Sequence, residues 1–403
     1  MIRGPVSRRR RSMSNTLPTD PFGARIDRRG FLGISAILAA TGLLAACKKA
    51  ETPGAGGATG PSPSARPPLE QEPGGLQVYD WAGYGDGSYY PKEERLYLWK
   101  QYQVATGDTP NFVLFEDDDT GYAKVAAGAR YDVVHPCAYR FGDWVALGVL
   151  QPWDTSLISN FPSLNPTLEA SGNFDGDQYF IVTDWGFAAP MYRADLVEPK
   201  EDSWGILFDD RYGGKISWWD SLNMLVIAGY YHGVPNPWAM TDDELAQMSE
   251  FLISKKHLVK FLWGQSYDLF RAFKQEEVWI GYAWPDAWSY AKGAGLDVVY
   301  MQPKEGRTSW YCGFGLFAET QNYYHAHAYV DSWASTKAAE FLLNFYAYGH
   351  TNTAVDLSKI SEDIVKAFSL DDPTVLEEPR THAERPIERR DVYAEHWSEV
   401  KAA

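Results

Sequence analysis

Three short β-rich runs alternate with two stretches of helical spacing, and this order restricts the fold more than any other feature of the chain. The runs are LQVYDW (76–81), NFVLFE (111–116) and YDVVHP (131–136). Between the first two lies PKEERLYLWKQYQVAT (91–106), with apolar residues at helical spacing and Pro91 in the expected first turn. EDDDTGYAKVAAGA (116–129) follows the second run and opens with acidic residues, which a helix N-terminus favours. A β-α-β-α-β order with strands buried on both faces predicts a largely parallel sheet covered by helices.

Two further strands are predicted in YFIVTDWGFAAPMY (179–192) and WYCGFGLFA (310–318). The residues between them are enough for a compact domain. There KISWW and EVWIGYAW read as strands, and DDELAQMSEFLIS, SYDLFRAFKQ and DAWSYAKGA read as helices. From Asp331 to about Lys366 the chain reads as helical, with a strong 3.6-residue period in STKAAEFLLNFYAYG. The pattern predicts one α/β domain interrupted by another, crossed twice by the chain, and 403 residues suffice for two domains. The first comprises 76–188 and 308–403 with C-terminal helices; the second comprises 189–307.

The N-terminal region carries a separate message. Arg28 and Arg29 precede Phe31 and Leu32, and an apolar run extends from Ile34 to Ala46. That run falls short of the ~20 residues a transmembrane helix needs and suits the apolar core of a signal peptide. The arginine pair resembles a Tat export signal. LAAC (44–47) resembles a lipobox. Residues 1–46 are therefore expected to be a twin-arginine lipoprotein signal peptide. Cys47 would carry lipid, and 47–75, rich in Pro, Gly and Ser, would form a flexible tether. The expected location is the periplasm or extracytoplasmic face, anchored to the membrane surface. The net charge of −16, made more acidic by losing eight signal-peptide arginines, argues against a nucleic-acid partner.

The order of motifs over 76–350 resembles the periplasmic substrate-binding proteins of ABC importers, and within them the spermidine- and putrescine-binding group. The resemblance is carried by VYDWAGY (78–84), EDDDTGYAKV (116–125), YDVVHPCAY (131–139), DSWGILFDDRYGGKISWWD (202–220), YAWPDAW (282–288) and KEGRTSWYCGFGLF (304–317). It implies a two-lobe α/β fold of type II-like periplasmic-binding-protein architecture, with two crossings between lobes and the ligand in the inter-lobe cleft. Ligands of such open sheets sit at the carboxyl ends of strands. Trp81, Cys137 and Asp286 fall just after predicted strands. The implied function is capture of a small cationic amine for import, by a monomer that docks on a permease of the inner membrane. No enzymatic activity, cofactor or metal is implied.

A polyamine needs aromatic faces for its methylenes and cations, and carboxylates for its ammonium groups. The resemblance places these at Trp81, Tyr84, Tyr139, Asp220, Trp284 and Asp286, with Trp263 and Trp310 as further walls. Asp220 and Asp286 are the expected ammonium anchors. Two positions depart from the pattern: Asn223 stands where the group often has glutamate, and Cys137 where it has serine. A shorter diamine, a monoamine or a quaternary amine then fits as well as spermidine. Two other readings remain: the same fold binding a neutral sugar, and a secreted carbohydrate hydrolase using Asp220 and Asp286. Cys137 and Cys312 are the remaining cysteines, and an exported protein meets an oxidising compartment. They are either buried thiols or a disulfide. EDDDTG (116–121) lacks calcium-loop spacing and reads as a helix start. HAHAY (325–329) spaces its histidines poorly for a metal.

Overall fold

A computed structural model describes residues 69–85, 97–372 and 374–403. The expected signal peptide, the lipidation site Cys47, most of the tether and Pro91 lie outside the described residues.

Strand β1 (Gln77–Trp81) pairs in parallel with β2 (Asn111–Phe115) and with β3 (Val133–Val134). Val78 and Val133 are fully buried on one face and Tyr79 and Val134 on the other, so the strands need helices on both sides. Helix α1 (Lys100–Thr106) and helix α2 (Asp118–Ala126) supply part of that cover. The Asp117 side chain caps α2 by accepting from the Thr120 N–H, which accounts for the acidic run at this helix start.

Two long strands form the centre of the sheet. They are β4 (Phe180–Arg193) and β9 (Arg307–Phe317), antiparallel to each other. Beyond them lies a second parallel set: β5 (Ile216–Trp219), β6 (Val259–Trp263) and β7 (Ile280–Ala283). Strand β8 (Val298–Tyr300) also pairs with β4. The path through the sheet is β2-β1-β3-β9-β4-β7-β5-β6. From Phe180 to Ala188, β4 pairs with β9; from Ala189 to Tyr192 it pairs with β7. One strand thus serves both parallel sets, and the chain crosses between two lobes there and again at the start of β9. The second lobe carries helices α3 (Asn223–His232), α4 (Asp242–Lys255), α5 (Ser266–Lys274) and α6 (Pro285–Gly293).

The region expected to be helical from Asp331 is broken. Helix α7 (Tyr323–Trp333) and helix α8 (Thr336–Tyr346) are followed by an extended Gly349–His350 pairing with Trp185 and Asp184. Helix α8 stops where Ala347 takes a left-handed conformation (φ 56°), and Gly349 then lies against the Trp185 indole so closely that a Cβ would sit 2.0 Å from it. Helix α9 (Glu362–Phe368) comes afterwards.

The C-terminal residues were expected with the first lobe. Their buried side chains, Val375, Ile387, Tyr393, Trp397 and Val400, instead pack into the core built from the second parallel set. Strand β10 (Thr381–Ala383) runs parallel to β9, and helix α10 (Arg390–Ala402) lies on α4. The chain therefore returns across β9 before it ends on the second lobe.

Candidate functional site

A cavity opens at the carboxyl ends of the parallel strands. Counted out into the solvent at its mouth, the space is about 790 Å³. Most of the walls follow from where a strand stops. β1 ends at Trp81, and the turn after it presents Tyr84. The chain leaving β3 presents Cys137 and Tyr139. β5 ends at Trp219, and β7 runs into Trp284 and Asp286 at the start of α6. Trp310 and Cys312 project from β9, and Tyr348 and Glu384 line the cavity too, with Ser266, Tyr267, Tyr290 and Tyr346 among the other residues around it. Among the described lining residues there is no lysine, arginine or histidine.

The tryptophans hold one another in place. Trp284 packs edge-to-face on Trp219 at 5.0 Å and on Trp263 at 5.1 Å between ring centroids. Trp263 is buried, and its Nε1–H donates to the Tyr282 carbonyl at 3.0 Å. It is thus a support beneath the wall and does not line it. Trp310 meets Tyr348 edge-to-face at 4.8 Å. Its indole lies against Gly186, where a Cβ would come within 2.4 Å of the ring. Only glycine lets this wall approach β4 so closely.

Asp286 sits in the first turn of α6, buried. Among the described residues its Oδ1 has no hydrogen-bond partner. Burial raises its carboxyl to about 6, against the pull of the Ser266 and Tyr348 hydroxyls beside it. A buried carboxyl with one oxygen unpartnered, framed by aromatic rings, can pair with a cation or accept a hydrogen bond.

The expected residues divide three ways. Trp81, Tyr84, Cys137, Tyr139, Trp284, Asp286 and Trp310 line the cavity together. Trp263 and Asn223 lie behind it, the Asn223 amide reaching Glu384 Oε1 at 3.5 Å. Asp220 faces elsewhere. It is exposed, accepts from Trp397 Nε1 at 3.0 Å and pairs with Lys401 at 3.1 Å. The reason is strand alternation: Trp219 turns into the cavity, so the next residue turns out. Asp220 and Asp286 do not share a groove, as a hydrolase pair would. Trp219, Tyr348 and Glu384 were not expected. Trp219 is legible from that same alternation, since KISWW reads as a strand. Tyr348 lies inside the stretch read as helical but falls beyond the helix end at Tyr346, and Glu384 lies where the chain has no periodicity to read.

Cys137 and Cys312 form a disulfide on the cavity wall, closing a separation of 175 residues. Its loss is expected to cost about 2–4 kcal/mol, chiefly by freeing the unfolded chain. Cys137→Ser with Cys312→Ser should therefore melt several degrees below the parent under non-reducing conditions. Two titratable thiols in the denatured, unreduced parent would remove the bond.

Residues 100–368 match the model of the family described as bacterial extracellular solute-binding protein. The chain is 26% identical over 255 residues to the spermidine/putrescine-binding periplasmic protein of Escherichia coli (strain K12), covering 61% of this chain and 69% of that protein. It is 23% identical over 353 residues to the putrescine-binding periplasmic protein SpuD of Pseudomonas aeruginosa (strain UCBPP-PA14), covering 81% and 92%. Among solved structures it resembles the spermidine/putrescine ABC transporter substrate-binding protein PotD from Streptococcus pneumoniae. The TM-score is 0.64 at 18% identity, over 81% of this chain and 98% of that one.

Proposed function

We propose, since this chain belongs to the bacterial extracellular solute-binding family, that it captures a small organic amine carrying positive charge and delivers it to an ABC permease. One observation carries this reading: the cavity joins four tryptophan faces and two carboxyl groups with no basic side chain among its described lining residues. Tryptophan attracts an ammonium through the ring quadrupole and covers methylenes by apolar contact. A buried carboxylate then fixes the charged nitrogen by a charge-assisted hydrogen bond. Diamines and polyamines combine both demands, and relatives named for putrescine and spermidine support that choice.

Capture would proceed by closure of two lobes that share β4 and β9. The ligand stabilises the closed form only by as much as it binds that form better. The closed form would dock on the permease. Lipid on Cys47 and the tether after it would hold the protein near that partner at the extracytoplasmic membrane surface.

A thermal-shift screen with 1,4-diaminobutane, spermidine, butylamine, choline and glucose tests the reading. A ligand at a hundred times its dissociation constant adds about 2.7 kcal/mol of stability. The amines should raise the melting temperature and glucose should not. A response to glucose alone would replace the amine with a neutral sugar.

A further inference from the structure

We propose that Glu384, carried into the cavity by the C-terminal segment, is a second anionic contact for the ligand, and that the ligand's ammonium displaces a proton there. This deepens the amine reading above and rests on it.

Glu384 lies sixteen residues beyond the family-matched span, which ends at Phe368. It reaches the cavity because the segment is tied down on both sides of it. Upstream, β10 pairs with β9, and the Glu384 N–H itself donates to the Ser309 carbonyl at 2.8 Å. Downstream, Arg389 pairs with Asp242 and donates to the Met240 carbonyl on the second lobe. Arg390 pairs with Asp119 at the start of α2, on the first lobe. A side chain held this way, 9% exposed and lining the cavity, is a built feature of the site.

Its surroundings differ from those of Asp286. Asp286 is set among Ser266 and Tyr348. Glu384 has the Asn223 amide at 3.5 Å and lies within the fields of Asp118 on α2 and Arg390 on α10. Its charge is also felt by the buried hydroxyls of Tyr139, Tyr282, Tyr311 and Tyr230. The cavity therefore offers a cation two separate acidic points, with aromatic rings around both. Burial and the Asp118 charge raise the Glu384 carboxyl to about 8, against the pull of Arg390. At neutral pH the empty site holds that carboxyl largely as the acid. When an ammonium arrives, the carboxyl O–H bond breaks, the proton passes to solvent buffer, and the carboxylate accepts an N–H from the ligand.

The test is calorimetric titration of the full chain with 1,4-diaminobutane at pH 7, in two buffers of different ionisation enthalpy, for the parent, Glu384→Gln and Asp286→Asn. Gln keeps the shape and neutrality of the protonated acid, so the variant should fold, and its melting temperature checks this. The parent should release protons on binding. Glu384→Gln should bind about tenfold or more weakly and lose most of that release. Unchanged affinity and proton release in Glu384→Gln, with weakened binding in Asp286→Asn, would overturn the role of Glu384 and leave the amine reading standing. No heat and no thermal shift with any amine in the parent would overturn both.

Discussion

Asp286→Asn should weaken 1,4-diaminobutane binding by about thirtyfold or more while raising the melting temperature of the empty protein at pH 7. The two effects share one cause. Asp286 is buried, and its carboxyl is raised to about 6 by that burial. In the empty cavity its charge lacks a partner for Oδ1 among the described residues, so holding it ionised costs stability. The group's folded pKa lies above its unfolded value. It therefore supports the fold at low pH, and that support is lost as pH rises through about 6. Asparagine removes the cost, on the order of 1–3 kcal/mol at pH 7 and vanishing near pH 4. With ligand bound the balance reverses. Removing one partner of a desolvated charge pair costs ~2 kcal/mol or more, which is about thirtyfold in affinity. Melting curves at pH 4 and 7 and a titration with diaminobutane check both halves. A variant that melts lower than the parent at pH 7, or that binds the diamine as tightly, would remove Asp286 as the anchor.

The parts of this site that are legible in the sequence are those that local chemistry dictates. Trp81, Cys137 and Asp286 follow strands whose β-rich runs are plain, and the ends of parallel strands are where such sheets bind. Asp220 shows the limit of that logic. It too follows a strand, but one residue of alternation separates it from the wall that Trp219 makes. Motif position places a residue near a cleft; only register decides which side it faces. The helical period after Asp331 is readable as far as Tyr346, but not the left-handed Ala347 that ends it, nor the pairing of Gly349 with Trp185, 164 residues earlier in the chain. Glu384 is the least legible of all. Nothing in its neighbourhood, THAERP, has a period, and its place follows from pairing with β9 and from ion pairs to both lobes.

His135→Leu should destabilise the protein by about 3–5 kcal/mol at pH 7, the largest stability effect expected of a single substitution here. His135 lies just after β3, fully buried, and links two buried aspartates. Its Nδ1 is 2.8 Å from Asp80 and its Nε2 2.8 Å from Asp184. Leucine would fill the space but leave two carboxyl groups in an apolar core without a cation between them. Burial alone would push the imidazole down. The Asp184 and Asp80 carboxylates outweigh it and raise it to about 10. The folded value thus exceeds the unfolded value near 6.5. The stability from this charge is complete below that pH and is lost as pH climbs towards 10. The parent's melting temperature should fall over pH 7–10, and this component of the fall should be missing in His135→Leu. The triad also reaches the cavity. Tyr84 donates its hydroxyl to Asp184 at 2.9 Å, so the ring that lines the ligand wall is held by the same buried charges. Diamine affinity should then weaken with the substitution at temperatures where the variant is still folded. Equal melting temperatures for the two proteins at pH 7, or parallel melting profiles up to pH 10, would show that the histidine is not charged between its aspartates.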